Sequence, residues 1–158
     1  MDELAKTLGE RLKREGATLV TAESCTGGWA AQVVTSVAGS SDWFDRGYVT
    51  YSNDAKRELL GVRAETLAKH GAVSEEAARE MAQGALARGK GTVALSITGV
   101  AGPTGGSATK PVGTVCFAWA TKTGARVETK RFSGDRESVR RQSVIHALEG
   151  VLQTLDAA

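Results

Sequence analysis

Thr21-Ala22-Glu23-Ser24-Cys25-Thr26-Gly27-Gly28-Trp29 is the stretch whose reading decides the fold. Ahead of it, Ala17-Thr18-Leu19-Val20-Thr21-Ala22 is short, apolar and rich in β-branched residues, the pattern of a buried strand. Behind it, Trp29-Ala30-Ala31-Gln32-Val33-Val34 carries apolar residues at helical spacing. A strand therefore turns sharply into a helix, with two hydroxyls and a thiol at the corner. The first N–H groups of such a helix lack intrahelical partners, and the helix dipole adds partial positive charge there. Gly27 and Gly28 let a ligand approach the bare backbone. The corner suits an activated Ser24 with a ready oxyanion hole, or a plain anion-binding turn. It also suits a Ser24 or Thr26 that does no more than cap the helix.

Outward from this corner the chain reads as one α/β domain over residues 1–158. Leu4, Leu8 and Leu12 recur every four positions and mark an amphipathic helix stopped at Gly16, packed on the sheet. The helix after the corner runs to about Ser36. Trp43 to Tyr51 alternates like a strand, and Ser52 or Asn53 caps a short helix from Asp54 to Leu60. A second short helix covers Ala64 to His70. Val73-Ser74-Glu75-Glu76 has the marks of another helix start, running on to about Arg88. Thr92 to Thr98 is apolar on both faces, as a central strand is, and leads into a long glycine-rich loop, Gly99 to Ser107. A hairpin, Val112–Ala120 and Ala125–Phe132, precedes a final helix from about Asp135 to Leu155. Helices between central strands predict three α/β/α layers, and the hairpin makes the sheet mixed.

Composition narrows the function. The 158 residues carry a formal charge of +2, 41% hydrophobic and 24% charged residues, as in an ordinary globular enzyme or binding domain. No basic run exceeds Arg140-Arg141, which argues against nucleic acid. Two cysteines, Cys25 and Cys116, are too few for a disulfide scaffold and lack metal-ligand spacing, so no metal is expected. No secretory pattern or membrane-length apolar run occurs, and a cytoplasmic location is expected.

Ser24 needs a base, and the histidines offer little. His146 lies within an apolar helix and His70 precedes a turn glycine, neither in a Ser-His-Asp order. Lys56 lies one turn into the helix after Tyr51, so amine and phenol can approach together. Ser-Lys pairs do activate hydroxyls, provided that the lysine is depressed well below its ordinary pKa of ~10.4. A solvated Lys56 is the plainer alternative. Cys25 is a rival nucleophile without an evident partner, and Ser52 with Lys56 at i, i+4 is a third possibility. Arg136, Arg140 and Arg141 occupy the N-terminal half of the last helix, the wrong end for cations, where a bound anion or the neighbouring Asp135 and Glu137 can offset them.

Taken together, Thr21-Ala-Glu-Ser-Cys-Thr-Gly-Gly28, Tyr48-Val-Thr-Tyr-Ser-Asn53, Gly71-Ala-Val-Ser74, Thr98-Gly-Val-Ala-Gly-Pro103 with Gly105-Gly106, Lys110-Pro-Val-Gly-Thr114 and Phe132-Ser-Gly-Asp-Arg136 resemble the C-terminal domain of the CinA competence/damage-inducible proteins. Stand-alone members of that family are nicotinamide-nucleotide amidases. The resemblance implies hydrolysis of nicotinamide mononucleotide to nicotinate mononucleotide and ammonia, without metal or cofactor, by a homodimer or larger assembly. It makes Ser24 the nucleophile, Lys56 the base and Tyr51 an assistant. It carries substrate contacts to Thr98 and Arg136, with Arg140 a further candidate. Thr26, Gly27 and Gly28 of the corner and Gly99, Gly102 and Gly105 of the loop complete the expected substrate-binding set. Longer members carry an additional N-terminal domain, whose activity is not expected of these residues. The alternative is a nucleotide-binding module in which the corner and the loop hold a ligand without turnover.

Overall fold

Leu19–Glu23 (β1) is buried at every position because both its edges are paired and both its faces covered. Phe44–Val49 (β2) pairs parallel on one side of it and Val93–Gly99 (β3) parallel on the other. Thr114–Thr121 (β4) and Gly124–Arg131 (β5) continue the sheet antiparallel beyond β3, giving the order β2-β1-β3-β4-β5. This computed structural model describes residues 1–157. Helices cover both faces of the sheet, so the single α/β domain with a mixed sheet that the sequence predicts is the fold. Among the described residues no helix is long and apolar enough to cross a membrane.

Strand alternation divides the core in two. On one face Leu19, Leu95, Ile97, Phe117 and Trp119 pack against α1 (Asp2–Glu15), α2 (Trp29–Thr35) and α6 (Arg136–Asp156). The other face carries Val20, Ala22, Ala94, Ala118 and Ala120. It meets α3 (Asn53–Leu60), α4 (Ala64–His70) and, centrally, α5 (Glu75–Ala87). The second face is lined with small side chains from both sides, among them Ala77, Ala78, Ala82 and Ala85 of α5. Two surfaces of small residues let helix and sheet approach closely, near enough for Ser96 Oγ to donate to the Ala78 carbonyl at 2.6 Å.

Helix starts follow the sequence. Ser52, Ser74 and Asp135 each accept a hydrogen bond from the backbone N–H three residues on, capping α3, α5 and α6. One boundary differs. The strand expected to reach Tyr51 ends at Val49, because its partner β1 ends at Glu23 directly opposite. The Thr50 N–H makes a last bond to the Glu23 carbonyl at 2.8 Å, and Tyr51 then lies in the connection to α3.

The tight seam between α5 and α3 supplies a test. Gly84, inside α5, leaves room for the Leu60 carbonyl, and a Cβ there would fall well inside van der Waals contact with it. Helix propensity alone favours Gly84→Ala by ~1 kcal/mol. Overpacking against rigid backbone costs about 1–3 kcal/mol, so the net change is expected to be a loss. Urea unfolding measures it, and a raised midpoint in Gly84→Ala would contradict the close packing described.

Candidate active site

Three parallel strands end at one edge of the sheet, and the chain leaves β1 toward β2 on one side and later returns to β3 on the other. A crevice forms at such a reversal beyond the strands' C-terminal ends. Ser24 follows β1, Tyr51 follows β2, and Thr98 and Gly99 close β3. Most of the sequence-predicted residues are thereby brought to one place, and Thr26, Gly27, Gly28 and Arg140 to a hollow beside it. Ser24, Cys25, Tyr51, Lys56, Thr98, Gly99, Gly102, Gly105 and Arg136 line a cavity of about 380 Å³. A more open hollow of about 720 Å³, lined by Thr26, Gly27, Gly28, Trp29, Arg136 and Arg140, shares Arg136 with it.

The corner is built tightly. The Ser24 N–H donates to the Ile97 carbonyl at 2.9 Å, and the Gly27 N–H returns to the Ser24 carbonyl at 3.1 Å. Gly27 and Gly28 have φ of 59° and 102°, left-handed values that a side chain would strain. Neither Ser24 nor Thr26 caps α2. Glu23, almost fully buried, does so from the strand end. Its carboxylate accepts from the Ala30 N–H at 2.8 Å, the Ala31 N–H at 3.1 Å and the Thr26 hydroxyl at 2.6 Å. The helix N–H groups that looked open to an anion are thus occupied. Earlier in the turn the Thr26 N–H donates to no acceptor among the described residues, and the Cys25 N–H faces only its own thiol.

Lys56 is 1% exposed. Its Nζ donates to Ser24 Oγ at 2.9 Å, to the Thr50 carbonyl at 2.8 Å and to the Tyr51 carbonyl at 3.4 Å. No carboxylate lies within ion-pair distance of it among the described residues. Burial without a counter-charge disfavours the ammonium form and brings the pKa from 10.5 down to about 8. The plain reading of a solvated Lys56 is excluded. No neighbouring cation is needed either, since burial is the leading cause.

The competing chemistries fall away on geometry. Burial pushes the Cys25 thiol up to about 11, against the weaker pull of Arg140 and Lys56, so a thiolate is disfavoured. Ser52 is exposed and engaged as the α3 cap, while Lys56 points inward from the same helix. His146 bonds Glu128 at 2.7 Å and sits edge-on to Phe117 and Trp119, and His70 faces Glu76 at 3.6 Å; neither lines the cavity.

Other predicted residues hold the walls. Thr98 donates its hydroxyl to the Ala72 carbonyl at 2.8 Å. Tyr51 is 63% exposed, so it stands at the rim and does not bury Lys56. Its hydroxyl accepts from Arg136 at 3.4 Å, and the same guanidinium donates to the Gly102 carbonyl at 2.8 Å. Arg140 reaches the corner instead, bonding the Cys25 and Thr26 carbonyls. Arg141 is exposed and lines neither cavity. Sequence reasoning missed Glu23 and the Thr50 carbonyl. Glu23 had a signal, a lone charge closing an otherwise uncharged buried strand, whereas a backbone carbonyl has none.

The family described as the CinA C-terminal domain matches residues 1–155, and the chain belongs to it. The protein of Escherichia coli (strain K12) named nicotinamide-nucleotide amidohydrolase PncC is 57% identical over 152 residues, spanning 96% of this chain and 92% of that one. Among solved structures, a competence/damage inducible protein from Agrobacterium tumefaciens superposes with a TM-score of 0.94 at 46% identity, over 98% of this chain and 94% of its own. A CinA superfamily protein from Klebsiella pneumoniae gives a TM-score of 0.96 at 41% identity, over 99% and 98%.

The state of Lys56 is open to measurement through stability. Its folded pKa lies below the unfolded one, so below pH ~8 both states are protonated and the fold carries the full cost of a buried ammonium. Between about 8 and 10.5 that cost fades, and above 10.5 it is gone. A depression of this size corresponds to roughly 3 kcal/mol. Lys56→Met is therefore expected to gain stability relative to the wild type, by up to that amount, as pH falls from 10.5 to 8, and to gain no more below. Urea midpoints across this range give the answer, and a difference independent of pH would contradict the buried, unpaired amine.

Proposed function

We propose that this chain is an amidase that hydrolyses the carboxamide of nicotinamide mononucleotide, giving nicotinate mononucleotide and ammonia through an acyl-enzyme on Ser24. The observation that carries the reading is the 2.9 Å contact of a buried, carboxylate-free Lys56 amine with Ser24 Oγ. The name of the Escherichia coli relative supports the substrate.

As a neutral amine, Lys56 keeps two N–H groups on the Thr50 and Tyr51 carbonyls and turns its lone pair to the serine O–H. Ser24 Oγ attacks the amide carbon as Lys56 takes the proton, and the carbonyl electron pair moves onto oxygen. The Cys25 and Thr26 N–H groups receive that oxyanion. On collapse the carbon–nitrogen bond breaks, and the Lys56 ammonium protonates the leaving nitrogen, releasing ammonia. Water, deprotonated by Lys56 in turn, then attacks the ester, and the carboxylate leaves with Ser24 restored. General-base assistance of this kind contributes about 10²–10⁴-fold.

The phosphate is assigned to Arg136. Its guanidinium stands where the two cavities meet, with the Tyr51 hydroxyl beside it, and arginine suits a phosphate by paired contacts. Binding energy from the phosphate positions the amide, so free nicotinamide loses kcat as well as affinity.

Purified protein is expected to release ammonia from nicotinamide mononucleotide, with kcat/KM rising about tenfold per pH unit up to a plateau near the Lys56 pKa of about 8. Ser24→Ala should abolish turnover, Cys25→Ala should keep most of it, and Arg136→Ala should raise KM. A Ser24→Ala variant that still releases ammonia, or free nicotinamide turned over as fast as the mononucleotide, would overturn the assignment.

A further inference from the structure

Arg140 is half-buried in the second turn of α6 and faces the nucleophile corner. Its Nε donates to the Cys25 carbonyl at 3.0 Å and its Nη2 to the Thr26 carbonyl at 3.1 Å, while the guanidinium lies over the Trp29 ring at 5.4 Å. One planar fork therefore holds two successive carbonyls of the turn that carries Ser24, and an aromatic ring backs it.

A trans peptide points its carbonyl and its N–H in opposite directions. With the Thr26 carbonyl drawn toward α6, the Gly27 N–H must face away from α6, and it lands on the Ser24 carbonyl. The same rule applies one peptide earlier. With the Cys25 carbonyl drawn toward α6, the Thr26 N–H faces away from α6 and is left without an acceptor among the described residues. A cationic donor on a carbonyl also polarises the peptide and strengthens its N–H as a donor.

We propose that Arg140 is a positioning residue that orients the Cys25–Thr26 peptide so that its N–H receives the oxyanion formed at Ser24, an inference that rests on the amidase reading. It leaves the phosphate to Arg136, which lines the cavity that holds Ser24 and Lys56, whereas Arg140 does not. Lysine, a point charge without a fork, cannot hold both carbonyls. Loss of an oriented oxyanion donor lowers kcat by about 10²–10³-fold.

Arg140→Lys and Arg140→Gln separate this role from a phosphate contact. Steady-state ammonia release is measured with nicotinamide mononucleotide and with its phosphate-free riboside. A positioning role lowers kcat/KM for both compounds by the same factor, about 10²-fold, with the loss in kcat and KM changed less than about threefold. Guanidinium ion added to the folded Arg140→Ala variant should restore part of the rate. A rise in KM confined to the mononucleotide, with the riboside unaffected, would overturn the proposal and return Arg140 to the phosphate. A second readout needs no natural substrate. Phosphonylation of Ser24 by a fluorophosphonate, followed by intact mass, also builds negative charge on an oxygen beside Ser24. It should slow in both variants while their melting temperatures stay near that of the wild type, and unchanged labelling would contradict the proposal. Labelling that depends on Arg140 in a wild-type protein inactive on the mononucleotide would refute the substrate reading alone.

Discussion

A lysine amine buried with no carboxylate beside it is the constraint around which this structure is arranged. Removing a cation from water is costly, and proteins ordinarily leave lysine at the surface or pair it. Here three acceptors face Nζ, two backbone carbonyls and the Ser24 hydroxyl, and none is charged. They satisfy hydrogen bonds without stabilising the ammonium as a carboxylate would. The amine therefore loses its proton more readily, and the group able to take up a proton near neutrality is the serine's neighbour. An acid beside Lys56 would hold the proton on the amine and make it a poorer base.

The topology brings that pair together. Ser24 and Lys56 come from different layers of the chain, one from the end of β1 and the other from α3. They meet because β1 and β2 end in register, Glu23 opposite Val49, and the chain after β2 turns at once into α3. Beside them the corner is braced from two directions. Glu23 holds the start of α2 and the Thr26 hydroxyl, and Arg140 holds the carbonyls of Cys25 and Thr26. A buried acid and a half-buried arginine thus stabilise the backbone geometry next to Ser24, and neither forms an ion pair with Lys56.

The layers and most helix limits were legible from periodicity and caps, as at Ser52, Ser74 and Asp135, because those signals are local. The end of β2 was not, since it depends on where another strand stops. Ser24 stood out through its strand–turn–helix setting; Lys56 was a candidate by its place after Tyr51, and only a family resemblance chose it over a solvated lysine, because burial of a helical lysine is decided by what packs over it. Tyr51 was expected beside the amine and stands at the rim with Arg136, its carbonyl and not its phenol meeting Lys56. Arg140 looked like a cation in search of an anion. Its partners are peptide carbonyls 114 and 115 residues away in sequence, and no pattern of side chains announces them.

The measurement that bears most directly on this arrangement is the titration of Lys56 in the free protein. Lysine labelled with ¹³C at Cε reports each amine by NMR, and the Lys56 signal is assigned by its absence in Lys56→Met. A midpoint near 8, restored toward the ordinary lysine value of 10.5 on unfolding, is the expected result. A Lys56 that titrates at the ordinary lysine value of 10.5 would mean that the amine is charged at neutral pH and that Ser24 has no base in it.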